Sequence, residues 1–247
     1  MRENKIYIFG HRGASGYCIE NTLQSFKKAC EMNAHIETDL RLTKDNILIA
    51  FHDPGLKLNG RYYKIRNLSL EELRRIEFED GRYIPTLAEL FECFSSQSNL
   101  KFSFDIANKK TGIQLIKTAK KHKLLERIFI TDIRLNILKA LREYNTDVNL
   151  VHTIPHKIAK LEPQKIDMET IKQLGIEILN VKANKYYKDN FAVVVKNEFD
   201  CFFWGVNTKI RMKRLMKMKF NGCRIDGIYT NYPDHAVSIC KSHFKAN

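Results

Sequence analysis

The chain has 247 residues, of which 44% are hydrophobic and 28% are charged. These values are typical of a globular protein with a full-sized core, and no apolar run approaches the roughly 18 residues that a membrane span requires. The formal charge of +14 favours anionic partners. Because the lysines are spread along the chain, the charge indicates solvated helix faces and steering of an anionic substrate, and it disfavours nucleic-acid binding. Weak attraction to an anionic membrane surface stays open.

The amino-terminal stretch and the cysteines point to a reducing compartment. The sequence MRENKIYIFGHRG lacks a cleavable signal pattern, and cleavage there would remove His11, a candidate site residue. The six cysteines are scattered without a C-x-x-C pair, which predicts free, mostly buried and inert thiols. We therefore expect a cytoplasmic protein, and its oligomeric state is left open.

Strand and helix patterns alternate along the chain, and each strand pattern is short, apolar and rich in β-branched or aromatic residues. The predicted strands cover residues 5–10, 35–39, 101–106, 127–131, 148–152, 177–181, 201–206 and 224–230. The predicted helices cover residues 21–32, 86–94, 112–122, 134–144, 169–174, 188–196, 209–218 and 233–242. Eight such units predict an α/β fold of the (β/α)8 TIM barrel type, with its active site at the carboxyl ends of the strands.

One connection breaks the alternation. After Asp39 the chain reads LRLTKDNILIAFH, in which two apolar runs flank a polar turn, and such a short link predicts a hairpin. Residues 54–85 follow as a small insertion that includes a short helix at LSLEEL. We thus expect a single barrel domain over 1–247 with an insertion at about 54–85. The alternative is an open doubly wound sheet, but no G-x-G-x-x-G turn follows the first strand.

Two carboxylates stand two residues apart on the second strand. Glu37 and Asp39 project from the same strand face, where their charges repel unless a cation lies between them. A hard divalent ion with oxygen ligands resolves this conflict, which predicts a site for Mg²⁺ or Ca²⁺.

Two histidines at strand ends are the candidate proton carriers, because imidazole titrates near neutrality. His11 is followed by Arg12, whose planar guanidinium suits phosphate oxygens, and His52 is followed by Asp53, which could orient its ring. Asn21 with Gln24 resembles a capping box at the start of a helix, which is a sufficient explanation for Asn21.

These motifs together resemble the glycerophosphodiester phosphodiesterase family. The motifs that carry the resemblance are HRGA at residue 11, ENT at residue 20, I-E-x-D at residue 36, TKDN at residue 43, HD at residue 52, IPTL at residue 84, WGVN at residue 204 and IDGIYTNYP at residue 225. The resemblance implies a (β/α)8 barrel that hydrolyses small glycerophosphodiesters to glycerol 3-phosphate and an alcohol with one divalent cation. By motif, His11 and His52 would be the acid/base pair, Arg12 would hold the phosphate, Glu37 and Asp39 would bind the metal, and Trp204 would wall the glycerol side.

The third strand departs from that family. Where the family usually has Asn-x-Glu-x-Lys, this chain has Ser103, Asp105 and Ala107 on one strand face, all expected in the site. Asp105 would be the third metal ligand. The lysine that faces the phosphate is missing, and Lys182 is the first candidate to replace it, with Lys109 a weaker one.

Several readings stay open at this point. The nucleophile is either water or the glycerol 2-hydroxyl, which would pass through a cyclic phosphate. Rival activities are a lysophospholipase D or sphingomyelinase D-like lipid phosphodiesterase and a phosphoinositide-type phospholipase C. The non-enzymatic alternative is a degenerate barrel that binds phosphorylated ligands without turnover, because residues 103 and 107 depart from the family pattern.

Overall fold

The computed structural model of the protein describes residues 6–58 and 60–245. The strands in this part of the chain are β1 Tyr7–Gly10, β2 His35–Leu42, β3 Leu48–Ala50, β4 Gly55–Leu58, β5 Arg61–Lys64, β6 Phe102–Ile106, β7 Ile128–Asp132, β8 Asn149–Thr153, β9 Ile178–Lys182, β10 Asp200–Trp204 and β11 Gly227–Thr230. The α-helices are α1 Leu23–Glu31, α2 Leu70–Arg74, α3 Leu87–Phe94, α4 Lys109–Lys121, α5 Leu135–Tyr144, α6 Met168–Gln173, α7 Tyr187–Lys196, α8 Lys209–Lys217 and α9 Pro233–Lys245.

Eight parallel strands close into a barrel. Their order is β1-β2-β6-β7-β8-β9-β10-β11, and β11 pairs with β1 to complete the ring. A parallel neighbour requires a crossover, and helices supply these crossovers around the outside of the barrel. This confirms the predicted (β/α)8 fold. All eight predicted strands and helices have counterparts here, although Lys5, where the first strand was predicted to begin, lies outside the described residues.

Aromatic side chains fill the barrel interior. Phe9, Phe129, Phe202 and Tyr229 form one buried cluster, with ring centroids about 5.0–6.2 Å apart. A larger buried layer lies between the strands and the surrounding helices. Because both faces of each strand are covered, the strands read as nearly continuous apolar runs. The barrel interior is therefore a packed core, and in barrels of this type the active site lies at the carboxyl ends of the strands.

The second strand runs directly into the predicted hairpin. β3 pairs antiparallel with β2 in the register Leu42↔Leu48 and Leu40↔Ala50, which confirms that prediction. The chain then forms a second hairpin, β4–β5, which was not predicted from the sequence. These elements and α2 share a separate small hydrophobic cluster, formed by Ile49, Phe51, Leu56, Ile65, Leu73 and Ile84.

Two details of the sequence interpretation were wrong. The capping box of α1 is formed by Thr22 and Ser25, because Asn21 adopts a positive φ of 56° and lies outside the helix. All six cysteines are free, as expected, but only Cys201 is buried, whereas Cys93 and Cys223 are exposed. A positive φ is readily adopted by Asn, and here it turns the Asn21 side chain towards β2.

Candidate active site

The loop after β1 brings His11 and Arg12 to the carboxyl end of the barrel. Arg12 and Gly13 both have positive φ, 54° and 78°, so the chain turns sharply there. A Cβ at Gly13 would stand 2.5 Å from the backbone carbon of Ser25 in α1, which leaves room only for glycine. The backbone NH of Arg12 donates to Oε2 of Glu37 at 2.8 Å. The tight turn therefore fixes the first motif against β2.

Three carboxylates on the neighbouring strands β2 and β6 lie close together. Each of Glu37, Asp39 and Asp105 offers an oxygen, and these oxygens lie within 4.8 Å of one another. The strand register explains the convergence, because Asp39 pairs with Asp105 and Glu37 lies two residues earlier on the same face. Glu37 is buried, whereas Asp105 opens onto the cavity while being surrounded by protein atoms on its other sides.

The cluster is electrostatically strained without a counter-ion. Burial, followed by the charges of Asp39 and Asp105, raises the pKa of Glu37 well above its usual range. Burial and the charges of Asp39 and Asp132 raise the pKa of Asp105 to about 8. Three oxygen ligands at this spacing fit a hard divalent cation, which would favour their ionised forms. The donor set therefore fits the ion that the sequence predicts, and oxygen ligands alone do not distinguish Mg²⁺ from Ca²⁺.

The hairpin explains how His52 reaches the cluster. Since β3 runs antiparallel to β2, the chain returns from Leu42 to the level of Asp39, whose carbonyl accepts from the backbone NH of Phe51 at 3.0 Å. His52 follows at once, and its Nδ1 lies 2.8 Å from Oδ1 of Asp53. The backbone carbonyl of His52 also accepts from Nε of Arg41 at 3.0 Å. The ring is thus oriented by its neighbour, with Nε2 left for a ligand.

His11 has a different environment from His52. Its Nδ1 lies 2.9 Å from Oδ1 of Asn231, which follows β11, and its backbone NH donates to the carbonyl of Thr230. Burial and the adjacent charge of Arg12 lower the pKa of His11. A neutral His11 with its proton on Nδ1 presents Nε2 as an acceptor. The two histidines therefore have one Nδ1 partner each, an amide for His11 and a carboxylate for His52.

Two residues of the Glu-Asn-Thr motif hold the site in place. Glu20 accepts from Nη1 of Arg12 at 2.9 and 3.0 Å, and Nε of Arg12 lies 3.1 Å from Asp39 without hydrogen-bond geometry. Asn21 donates to Asp39 at 3.2 Å and accepts from Thr38 at 2.7 Å. Arg12 is therefore shared between two carboxylates. Capping does not explain Asn21, because Thr22 is the N-cap of α1; the Asn21 amide instead positions a member of the acidic cluster.

A cavity of about 580 Å³ lies over these residues, within the range of small-ligand sites. Its wall includes an ion pair from β7 that the sequence interpretation missed. Nε and Nη2 of Arg134 donate to buried Asp132 at 2.8 and 2.6 Å, and Nη2 also reaches the carbonyls of Ile106 and Ala107. An Asp and an Arg two residues apart at a strand end were the available signal.

Polar atoms without partners point to where a ligand would lie. Thr131 Oγ1, Asn180 Oδ1 and Trp204 Nε1 are buried without a hydrogen-bond partner, and all three residues line the cavity. Unpaired buried polar atoms are costly unless a ligand or water completes them. Trp204 also packs against His156, with ring centroids 4.6 Å apart. This side of the cavity therefore combines apolar surface with groups that can bind hydroxyls.

Other predicted residues take different places. Nζ of Lys182 lies 5.1 Å from the centre of the Trp204 ring and, in the described part of the chain, Lys182 is not among the residues that line the cavity. Lys109 begins α4 and does not line this cavity either. Ser103 is buried and bonds to the hydroxyl of Tyr229 at 3.0 Å, so it lies behind the site, whereas Ala107 lines it.

Comparison with known proteins agrees with this geometry. The profile of the glycerophosphoryl diester phosphodiesterase family matches residues 11–235. A glycerophosphodiester phosphodiesterase of Caldanaerobacter subterraneus is 27% identical over 96% of this chain and 98% of its own length. A second one, of Bacillus subtilis, is 26% identical over 98% of this chain and 89% of its own length.

Solved structures share the fold. A glycerophosphodiester phosphodiesterase of Thermotoga maritima superposes with a TM-score of 0.77 at 24% identity, covering 96% of this chain and 100% of its own. An Oleispira antarctica phosphodiesterase in complex with sn-glycerol-3-phosphate gives a TM-score of 0.79 at 19% identity, covering 95% and 96%. Within residues 6–58 and 60–245, no helix has the length and apolar character needed to cross a bilayer.

Proposed function

This chain belongs to the glycerophosphoryl diester phosphodiesterase family, and we propose that it hydrolyses glycerophosphodiesters with one divalent cation and two histidines, releasing glycerol 3-phosphate and an alcohol. The single observation that carries the proposal is the convergence of three carboxylate oxygens within 4.8 Å, on the cavity that His11 and His52 line. The Oleispira complex with sn-glycerol-3-phosphate supports the identity of the product.

Glu37, Asp39 and Asp105 would hold the cation, either Mg²⁺ or Ca²⁺. Bound there, a divalent ion supplies charge neutralisation at a phosphate oxygen. Asn21 keeps Asp39 in place, and the Arg12 backbone NH keeps Glu37 in place, so the ligands do not need to rearrange on binding. Arg12 would face the phosphate with the part of its guanidinium that Glu20 and Asp39 do not occupy.

The two histidines divide the proton transfers. His11, neutral because burial lowers its pKa, accepts the proton of the nucleophile at Nε2. His52 donates a proton from Nε2 to the leaving alcohol, and Asp53 at its Nδ1 accommodates the charge of the imidazolium. Environments that differ in this way suit one base and one acid. The nucleophile is water or the 2-hydroxyl of the glycerol unit, and both mechanisms use the same two groups.

The remaining contacts would orient the substrate. Trp204 would wall the glycerol side, where Thr131 and Asn180 offer unpartnered polar atoms to its hydroxyls. Two arginines, Arg134 and Arg41, supply positive charge on the opposite wall. Arg134 lies beside Ala107, the position at which the family usually has a lysine on the third strand. Lys182, which lies beside Trp204, stays a second candidate for a cation near the phosphate.

The decisive experiment measures glycerol 3-phosphate release from glycerophosphocholine after chelation and after readdition of Mg²⁺ or Ca²⁺. We expect activity to disappear with the chelator and to return with one of the ions. Activity that persists in full after exhaustive chelation contradicts the metal assignment. Release of phosphocholine instead of choline contradicts the proposed bond cleavage.

A further inference from the structure

A second cavity of about 510 Å³ adjoins the candidate active site. Arg41 and Ala107 line both cavities and therefore form the boundary between them. We call it the basic cavity, and it is lined by Arg41, Leu42, Thr43, Lys44, Asn46, Pro54, Lys64, Ile65, Arg66, Ala107, Asn108 and Lys110. Its volume is sufficient for a phosphate and several carbon atoms.

Positive charge dominates the basic cavity. Among the described residues that line it, five are cationic and none is acidic; the five are Arg41, Lys44, Lys64, Arg66 and Lys110. Among the ion pairs of the described residues, none with an N–O distance up to 4.0 Å involves any of these five side chains. Like charges gathered at one place repel, and an anion between them removes that cost. Lys110 is held towards the cavity by Asn46, to which its Nζ donates at 2.5 Å.

The start of α4 adds to the same potential. Asn108 is the N-cap of this 13-residue helix, and its side chain accepts from the backbone NH of Thr111 at 3.0 Å. Asn108 and Lys110 both line the basic cavity, so the amino-terminal end of the helix faces it. The positive end of the helix dipole favours an anion at this point.

The strands connect the two cavities in a defined direction. Arg41 follows Asp39 by two residues on the same face of β2, so it stands about 7 Å farther along the strand. Ala107 is the first residue after β6, two residues beyond Asp105, and it lines both cavities. Because its side chain is only a methyl group, no long side chain stands at that position between the acidic cluster and the basic cavity.

We propose that the basic cavity binds a second phosphate group, carried by the alcohol that leaves from the diester. This inference rests on the proposed hydrolase function and narrows its substrate class to glycerophosphodiesters of phosphorylated alcohols. The reacting phosphate would lie at the acidic cluster, and the second phosphate would lie between Arg41 and the start of α4. The departure from the family pattern at Ala107 then has a function, since a methyl group leaves more room beside Arg41 at the boundary between the two sites.

The test compares two substrates that differ only in that phosphate: glycerophosphoglycerol, and the same diester with a terminal phosphate on the leaving glycerol. Free metal is held constant, because phosphates bind divalent ions. We expect kcat/KM for the phosphorylated substrate to be at least ~10-fold higher, as suits charge-assisted hydrogen bonds from several cations. Equal values for the two substrates overturn this inference but leave the proposed function intact, whereas failure to hydrolyse either contradicts the proposed function.

Paired variants locate the effect. Lys64→Ala with Arg66→Ala removes two cations from the basic cavity and should abolish most of the preference, leaving kcat/KM for glycerophosphoglycerol within about 2-fold of the wild type. Arg211→Ala with Lys213→Ala, both exposed on α8, removes the same net charge elsewhere and should keep the preference. Equal losses in both pairs indicate general steering and overturn the inference. Lys44→Ala with Lys110→Ala removes two other cations of the basic cavity and repeats the test, should the first pair fold poorly.

The same variants test two other anionic ligands of the basic cavity, inorganic phosphate and an anionic membrane surface. Inorganic phosphate should inhibit hydrolysis of the phosphorylated substrate competitively, and the Lys64/Arg66 variant should weaken that inhibition. Cosedimentation with vesicles of anionic phospholipid tests whether the basic cavity binds a membrane surface. Vesicle binding that depends on Lys64 and Arg66, without any preference between the two substrates, overturns the substrate assignment in favour of a membrane contact.

Discussion

Individual side chains decide the proton transfers at this site. His11 and His52 each have Nδ1 held by an oxygen and Nε2 available. We expect His11→Ala and His52→Ala each to lower kcat for glycerophosphocholine by about 10²–10⁴, the usual contribution of a general acid or base. Calorimetry should show that both variants still bind the cation. His235→Ala on α9 provides the control, with activity close to that of the wild type, and an equally impaired control would indicate a structural effect.

The hydrogen-bond partner of His11, Asn231, should affect how kcat/KM depends on pH. A base must be unprotonated, so kcat/KM falls as pH drops through the pKa of His11, which burial keeps below its ordinary value of 6.5. Replacing Asn231, whose Oδ1 lies 2.9 Å from the ring, with Asp places a negative charge there and favours the imidazolium. We therefore expect the acidic limb of the kcat/KM profile to move to higher pH in Asn231→Asp. A limb that stays in place or moves to lower pH contradicts the assignment of His11 as the base.

The acidic cluster should lower the stability of the metal-free protein at neutral pH. Since the pKa of Asp105 rises from 3.8 to about 8 on folding, the folded protein binds more protons there than the unfolded chain between those values. Stability must then fall as pH rises through that window. In the presence of a chelator, Asp105→Asn should remove this loss of stability and raise the free energy of unfolding at pH 7 by at least ~1 kcal/mol. The figure is small because Asp105 opens onto the cavity, where solvent screens its charge.

Thermal unfolding from pH 4 to pH 8 measures this effect. Asp189→Asn is the matched control. Asp189 is exposed on α7, and its ion pair among the described residues is with the exposed Lys160 at 3.9 Å. Its melting temperature should follow that of the wild type. A wild-type curve that rises with pH over this range would contradict the strained cluster.

At the scale of elements, the turn after β1 determines whether the site can form. Gly13 combines a φ of 78° with contacts that an added Cβ would make at 2.4–2.7 Å to Ser25. Gly13→Ala should therefore cost ~2–4 kcal/mol, since backbone strain and overpacking add. Gly81 has a φ of 69° and no heavy atom within 4 Å of the same position, so Gly81→Ala isolates the strain of the backbone at ~1 kcal/mol. Denaturant unfolding of the two variants measures the difference, and equal losses would contradict the packing argument.

Much of the element order could be predicted from sequence, for reasons visible in particular strands. β7 is buried along its whole length and begins with the apolar run IFI, and the TKDN turn between β2 and β3 is too short for anything but a hairpin. The β4–β5 hairpin was missed because most of its residues are exposed, although Leu56, Lys57 and Leu58 alternate and an Asn-Gly pair follows them in the sequence. The cap of α1 was placed one residue early, because Asn21 at a positive φ has no distinct signature in sequence.

The site was predictable to a similar extent. Strand parity was enough to group Glu37 with Asp39, and the same argument extended by two residues would have identified Arg41. The contact between Glu20 and Arg12 and the position of Arg134 against Ala107 depend on how loops cross strand ends. The periodicity of a sequence does not show where loops pass over strand ends, so the roles of these residues could be assigned only from the structure.

For the whole molecule, cation binding and folding should be linked. A ligand that binds only the folded state stabilises it by RT ln(1 + [L]/Kd), which is about 2.7 kcal/mol at one hundred times Kd. We expect the preferred ion to raise the melting temperature in proportion to the logarithm of its concentration, and a chelator to reverse the shift. Asp39→Asn and Asp105→Asn should lose most of this response. A response that survives in both variants would place the cation elsewhere.

The separate hydrophobic cluster beneath the β4–β5 hairpin has a consequence for how such enzymes diversify. Ile49, Phe51, Leu56, Ile65, Leu73 and Ile84 pack together apart from the barrel, and the segment they stabilise carries Lys64 and Arg66 of the basic cavity. A segment with its own core can accept sequence drift, or be exchanged between relatives, while the reaction centre on the barrel stays as it is. Head-group choice could then evolve at a different rate from chemistry, within one chain.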